Sequence, residues 1–354
     1  MTPTNHLRIR DIARLAAVSP ATVSRVLGGH PNVTAPTRDR VMAVVSRFDY
    51  QPNRLAKHLR HGRADVVGVL VSDIENPYFA TLVRVVEDSL FQRGIRVLLC
   101  NTSEDAGKEA TYLEVMAGER VRGVLLSPSD PYNPQISRLV DLGIPVVSID
   151  RPVAEPRTDS VTADDLAASR QATECLLGLG HRRIGFIAGR TEVQTGAERL
   201  SGYRETMALR GLPPAAAVGN FSIEGGAAAT DELLTANPAL TALIVANNQM
   251  ALGALGVLRR RGIRIPDGMA IIAFDDPPWA RLIEPPLSSL ARPLRRMAAA
   301  AVDLLFERMS GDRVQPTRVV FDFEMRLRAS SGTRASDGTS AGPGAAEPEA
   351  YEPG

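Results

Sequence analysis

The stretch VSPATVSRVLGG, residues 18–29, reads as a helix that starts abruptly and stops after about two turns. Ser19 can cap the free NH groups of the first turn, and Pro20 has the fixed backbone angle and missing NH that suit the first helical position. Val23, Val26 and Leu27 then fall at i, i+3 and i+4 as one apolar stripe, which leaves Ala21, Thr22, Ser24 and Arg25 on a small, polar and cationic face. Just upstream, RIRDIARLAA (residues 8–17) repeats the pattern with Ile12, Leu15 and Ala16, and only Ala17 and Val18 separate it from the capped start. Two short helices joined by a tight turn predict a helix-turn-helix. A third helix follows in TAPTRDRVMAVVSRFDY, with Thr34 as its cap and Val41, Val44, Val45 and Phe48 as its buried stripe. Residues 52–60, PNRLAKHLR, form a fourth segment too short and too polar to be helical alone, so it is expected to fold only when docked.

At 354 residues the chain is too long for one ordinary core, and its 44% hydrophobic and 23% charged residues are those of a globular protein. The formal charge of +1 hides an asymmetry. Residues 1–63 hold eleven Lys and Arg against three Asp, a net +8, and the remainder carries −7. A basic leading domain on a mildly acidic body is the electrostatic footprint of a nucleic-acid binder whose remainder does something else. The first residues lack the apolar run of a signal peptide, and no segment approaches a membrane span. Cys100 and Cys175, both in apolar settings, read as two buried free thiols, and the expected location is the cytoplasm.

From Asp65 onward, apolar strands alternate with helices. VVGVLV (66–71), RVLLC (96–100), VRGVLLS (121–127), IPVVSID (144–150), RIGFIAG (183–189), ALIVAN (242–247) and MAIIAFD (269–275) are near-continuous apolar runs, as strands buried on both faces require. They predict an α/β core of two successive doubly wound lobes over residues 65–330. It follows an all-α helix-turn-helix headpiece (1–50) and a hinge helix with linker (51–64). SSLARP (288–293), LRRMAAAAVDLLFERM and TRVVFDFEMRL are where the chain would cross back between lobes, with the ligand cleft at the strand carboxyl ends. Residues 331–354, almost all Gly, Ala, Ser, Thr, Pro and Glu, cannot bury a core and are expected to be a disordered tail.

IRDIARLAAVSPATVSRVLGGHPNVTAPTRDRV, Tyr50 and PNRLAKHLR, followed by VGVLVSDIENPYF, VSIDR, GHRRIGFIAG, RLSGY, ANNQMALGAL and AFDD with PPLSSL, together resemble the LacI/GalR family of bacterial transcription regulators. The resemblance runs from about Leu7 to Arg328. It implies a periplasmic-binding-protein-like core, and a homodimeric, ligand-responsive repressor on a near-palindromic operator. It further implies that Pro20, Ala21 and Arg25 face base edges, that Ser19, Thr22, Ser24 and Thr34 approach phosphates, and that Asn32 touches a base. Arg25 is the one able to pair bidentately with guanine. In the hinge, Leu59 matches the family's minor-groove wedge, with Asn53, Arg54 and Ala56 as its neighbours.

For the effector, the same resemblance points to Asn76, Tyr78, Phe79, Asp150, Arg151, Arg199, Phe221, Asn247, Asn248, Asp275 and Arg292. Two positions depart from the family pattern: Asn248 stands where Asp is usual, and Arg292 where many members have Gln. Counting Arg151, Arg199 and Arg292 against Asp150 and Asp275 leaves +1, which favours a sugar acid or sugar phosphate over a plain sugar. The alternative is that Arg292 is neutralised inside the protein, by Asp275 or Asp276 for example. The sequence carries no G-x-G-x-x-G after the first strand, no P-loop, no metal-ligand cluster and no nucleophile paired with a base, so no enzyme, cofactor or metal is expected. A transporter's solute-binding protein shares the core architecture but would need an export signal and has no use for a +8 headpiece.

Overall fold

The computed structural model describes residues 7, 9–27, 30, 32–48 and 65–332, which form two compact units, the second beginning at Asp65. The expected hinge, with Asn53, Arg54, Ala56 and Leu59, lies outside the described residues, as do residues 333–354 of the expected tail.

In the first unit, α1 (Ile9–Leu15), α2 (Pro20–Leu27) and α3 (Ala35–Arg47) close on Ile12, Ala13, Ala16, Val23, Val26 and Val41. The turn between α1 and α2 is a Schellman cap. Ala17 takes a left-handed φ of 52°, Val18 N donates to Ala13 O and Ala17 N to Arg14 O. Two expected core residues are corrected. Leu15 is 50% exposed because α1 ends there and packs through the small Ala13 and Ala16, and Phe48 is 43% exposed because it caps α3 beyond its last packed turn.

The second unit holds two six-stranded sheets. In the first lobe, β1 (Val66–Val71), β2 (Arg96–Asn101), β3 (Gly123–Leu126), β4 (Val146–Ile149) and β5 (Asp159–Ala163) are joined by β11 (Arg318–Phe321) in the order β11-β5-β4-β3-β1-β2, all parallel. The second lobe is built from β6 (Ile184–Ala188), β7 (Ala215–Val218), β8 (Ala242–Val245), β9 (Ala270–Phe274) and β10 (Ser288–Ala291), with β12 (Glu324–Arg326) antiparallel at the edge, in the order β12-β10-β9-β8-β6-β7. Crossover helices follow the strands, as parallel pairing demands. These are α4 (Pro77–Gln92), α5 (Ala106–Glu119) and α6 (Pro134–Asp141) in the first lobe, then α7 (Asp165–Gly178), α8 (Gln194–Leu209), α9 (Ile223–Ala236) and α10 (Asn248–Arg260) in the second.

The chain passes between lobes three times. It crosses between β5 and α7, returns between β10 and α11 (Leu294–Ser310), whose Met297, Ala301, Val302 and Leu305 join the core of the first lobe, and crosses again between β11 and β12. Ser330 and Ser331, in a 3-10 helix at Ala329–Ser331, are buried, and both hydroxyls bond Ser288. Ordered packing therefore extends past residue 330. Cys100 and Cys175 are free thiols but half-buried rather than buried, one in each lobe. Among the described residues no helix is long and apolar enough to cross a membrane.

Candidate functional site

On the headpiece, Ser19 caps α2: its Oγ accepts from Thr22 N at 3.1 Å and pairs with Thr22 Oγ1 at 2.9 Å. That bond sets the start of the helix, and Pro20, Ala21 and Arg25 stand exposed beyond it while Val23 and Val26 face the core. Arg25 has no ion-pair partner among the described residues. Thr22 and Ser24 are half-buried beside this face, and Asn32 and Thr34 are exposed in the segment leading to α3. Thr34 occupies the cap position of α3 but its hydroxyl donates to Thr37 Oγ1 at 3.0 Å and accepts no helix NH, which corrects its expected capping bond.

Between the lobes lies a cavity of about 520 Å³, within the range of small-molecule sites. Its lining comes from the segments that follow the carboxyl ends of β1, β2, β4, β6, β7, β8, β9 and β10. Asn76, Tyr78, Phe79, Asp150, Arg151, Arg199, Phe221, Asn247, Asp275 and Arg292 all border it. Ser103, Glu104, Asp150, Asn220, Phe221 and Asp275 have left-handed φ values of 53–74°, and among the described residues only Ala17 and Arg120 are other non-glycine cases. Backbone strain is thus concentrated on the cavity wall, where it aims side chains inward. Gly189 takes part for a different reason: a Cβ there would stand 2.0 Å from the Phe221 ring, so only glycine lets that ring lie over the end of β6.

Some lining residues are structural. Asn76 and Asn247 cap α4 and α10, their Oδ1 atoms accepting from Tyr78 N and Met250 N. Asn248 does not border the cavity. It crosses the cleft, its Nδ2 donating to Asn76 Oδ1 at 2.9 Å, and Arg190 makes a second crossing bond to Glu104 O at 3.1 Å.

The charges pair in a way that local sequence does not reveal. Arg151 is gripped bidentately by Glu104 at 2.7 and 2.8 Å, and Arg199 Nε donates to Asp165 Oδ1 at 2.6 Å with its guanidinium over the Phe274 ring. Arg292 donates to Asp150, lies 3.6 Å from Asp165 and 3.9 Å from Asp275, and stacks between the rings of Tyr78 and Phe323. Arg292, Asp165 and Phe323 come one from each lobe crossing, so the three crossings converge on this guanidinium. Asp276 is elsewhere occupied, held by Arg326 and Arg328.

The expected surplus of positive charge is therefore overturned. Glu104 and Asp165, which the sequence reading did not include, turn +1 into −1 when set against the three arginines. Burial, reinforced by Asp150, pushes Asp275 up to about 8. Burial also pushes Asp165 up to about 7, against the Arg292 charge. Despite these pairings, Arg151 Nε, Arg199 Nη2, Arg292 Nε and Asp275 Oδ1 are buried without a hydrogen-bond partner. Such groups are costly to leave unmet, and a bound molecule would satisfy them.

The headpiece and the cleft both have known counterparts. Residues 8–53 match the model of the bacterial regulatory proteins of the lacI family, and residues 173–331 that of a periplasmic binding protein-like domain. The HTH-type transcriptional regulator CelR of Thermobifida fusca is 35% identical over 329 residues, covering 90% of this chain and 96% of that protein. GalS of Salmonella typhimurium is 34% identical, covering 86% and 91%. Among solved structures, the lac repressor dimer bound to operator and the anti-inducer ONPF gives a TM-score of 0.81 at 25% identity, covering 92% of this chain and 99% of that one. A complex of CelR with cellobiose gives 0.68 at 34% identity, with the same coverage. The chain belongs to the LacI family of DNA-binding transcription regulators and is not an enzyme.

Proposed function

We propose that this regulator acts as a homodimeric repressor whose hold on a near-palindromic operator is set by an uncharged carbohydrate bound between its lobes. On the DNA side, Arg25 reads a guanine, Pro20 and Ala21 make apolar contacts with base edges, and Ser19, Thr22, Ser24 and Thr34 approach phosphates. Asn32 is an additional base contact, and Leu59 with Asn53, Arg54 and Ala56 serves the minor groove. The exposure of Arg25 beside a capped helix start supports this arrangement.

The observation that carries the effector assignment is the pairing of every cavity guanidinium with a carboxylate. A sugar acid or phosphate would bring a negative charge to a site whose guanidinium groups are already paired with carboxylates, whereas sugar hydroxyls can accept from Arg199 Nη2 and meet Asp275 Oδ1 without adding charge. The sugar seen with CelR and the ribose in a LacI-family regulator from Enterococcus faecium are uncharged. A thermal-shift screen of sugars, sugar acids and sugar phosphates identifies candidates. Titration calorimetry on matched pairs, an aldose with its aldonic acid, then tests the class. The neutral member of the pair is expected to bind; tighter binding by the acid would overturn the assignment.

A further inference from the structure

The buried group around Arg292 contains more acid than base. Asp150 at the end of β4, Asp165 at the start of α7 and Asp275 at the end of β9 all lie within 4 Å of the Arg292 guanidinium. The other cation in direct contact is Arg199 on α8, which takes Asp165. Adding Arg151 changes nothing, because Glu104 comes with it. The remaining neighbours are Tyr78 on α4, whose hydroxyl donates to Asp150, Asp164 and Glu198 near Asp165, and the neutral Asn248 on α10. Glu198 in turn faces Arg318, so that pair adds no net charge, and none of the others supplies a third positive charge. An uncompensated charge in a closed site is expensive enough that the group takes up a proton instead.

The hydrogen bonds indicate where the proton resides. Asp150 accepts from Arg292 and Tyr78, and Asp165 accepts from Arg199. Asp275 is 3.9 Å from the nearest guanidinium nitrogen, its carboxyl accepts only the backbone N–H of Asn248, which does not outweigh its burial and the Asp150 charge, and its Oδ1 has no partner. We propose that Asp275 sits in the ligand-free cavity as a carboxylic acid at neutral pH, and that in this form it is the residue that selects uncharged, hydroxyl-bearing effectors. The second half of this inference rests on the effector reading given above.

The chemistry follows from the proton. As an acid, Asp275 offers an O–H donor and a carbonyl acceptor, which together match a hydroxyl able to act as both. An uncharged ligand that displaces water from around Asp275 removes solvation a carboxylate would need, so it binds the protonated cavity better. A ligand with an ammonium group supplies the missing positive charge and drives the proton out. Affinity for an uncharged effector is therefore lost as pH rises above about 8, by up to tenfold per unit, while that for an amine-bearing analogue is not.

Infrared difference spectroscopy of the full chain tests the first half without any ligand. The protonated-carboxyl C=O absorption of wild type at pH 7 is expected to contain a component that is absent from Asp275→Asn and titrates away above about pH 8, beside any from Asp165, which loses its proton about a unit lower. A wild-type spectrum lacking that band at pH 7, or a band unchanged in Asp275→Asn, overturns the proposal. If Asp275→Asn does not fold, Asp275→Glu is read instead: a band component shifted in frequency assigns the proton to this position, and an unchanged band overturns the proposal. The second half is read by calorimetry with cellobiose at pH 7 and 9, and with glucosamine against glucose at pH 7, where the amine is largely charged. Cellobiose binding that weakens at pH 9 supports selection by the acid, and pH-independent cellobiose binding, or glucosamine preferred over glucose at pH 7, overturns it. Absence of any sugar binding with the infrared band present would sink the carbohydrate reading, and selection with it, but leave the proton in place.

Discussion

Replacing Arg292 with Gln tests whether this guanidinium holds the lobe crossings together by charge. The substitution removes the partner of Asp150, the nearby charge facing Asp165 and Asp275, and the contacts with the Tyr78 and Phe323 rings at 4.7 and 5.3 Å. Removing one member of a buried pair costs about 3–5 kcal/mol, because the other is left uncompensated. For a unit of this size, that corresponds to a melting temperature lower by about 6–15 °C at pH 8. The pH dependence separates charge from packing. Asp165 and Asp275 have folded-state values of about 7 and about 8, above their unfolded range. Between the unfolded value of about 3.9 and about 8 the folded state thus holds more protons than the unfolded one, so stability falls as pH rises across that interval and levels off above it. In Arg292→Gln the surplus grows by one, and the simplest relief is a second proton. Taking it from an unfolded-state carboxyl reference near 3.9 costs about 1.5 kcal/mol at pH 5 but about 5.6 kcal/mol at pH 8. The deficit of the variant should therefore shrink to about 2 kcal/mol or less at pH 5 in urea melts of the core. An equal deficit at both pH values would mean that Arg292 acts by filling space, and no deficit at pH 8 would refute the convergence argument altogether.

Other outcomes follow from the DNA side. Operator affinity should fall about a hundredfold or more between roughly 50 and 200 mM salt, read by fluorescence anisotropy, since several phosphates are neutralised. Arg25→Ala is expected to cost about 1–3 kcal/mol on the operator and much less on random DNA; equal losses would place Arg25 on phosphate alone. Val23, with no exposed surface, should lose about 2 kcal/mol of headpiece stability as Ala, seen by thermal melting of the headpiece signal with the core transition unmoved. Leu59→Ala should weaken operator binding in a mobility-shift assay while leaving the free protein's melting temperature and effector binding intact. A lowered melting temperature would make Leu59 a core residue.

The parts of this protein that were legible in its sequence are those whose cause is local. A capped helix start at Ser19 and Pro20, and runs such as VVGVLV and AIIAF buried on both faces, announce themselves within a few residues. By contrast, β5 (DSVTA) was not visible as a strand although every residue in it is buried. Its Asp159 is tolerable there because Arg308, from α11, meets it with two hydrogen bonds and the Thr317 N–H with a third. The AAAV of β7 has too little side chain to signal burial. The cavity divides along the same line. Residues that end strands, Asp150 and Asp275 among them, could be placed beside a cleft because the topology of parallel sheets puts strand ends there. Their charge balance could not, because it depends on Glu104 after β2 and Asp165 after β5, each brought in by a different segment. Arg292 shows why the distinction matters. Taken with the residues near it in the chain it is an unmatched guanidinium that invites an anion; at the meeting point of three lobe crossings it is already committed to Asp150. The sign of a ligand's charge is thus a property of the pairing, and the pairing is created by the crossings.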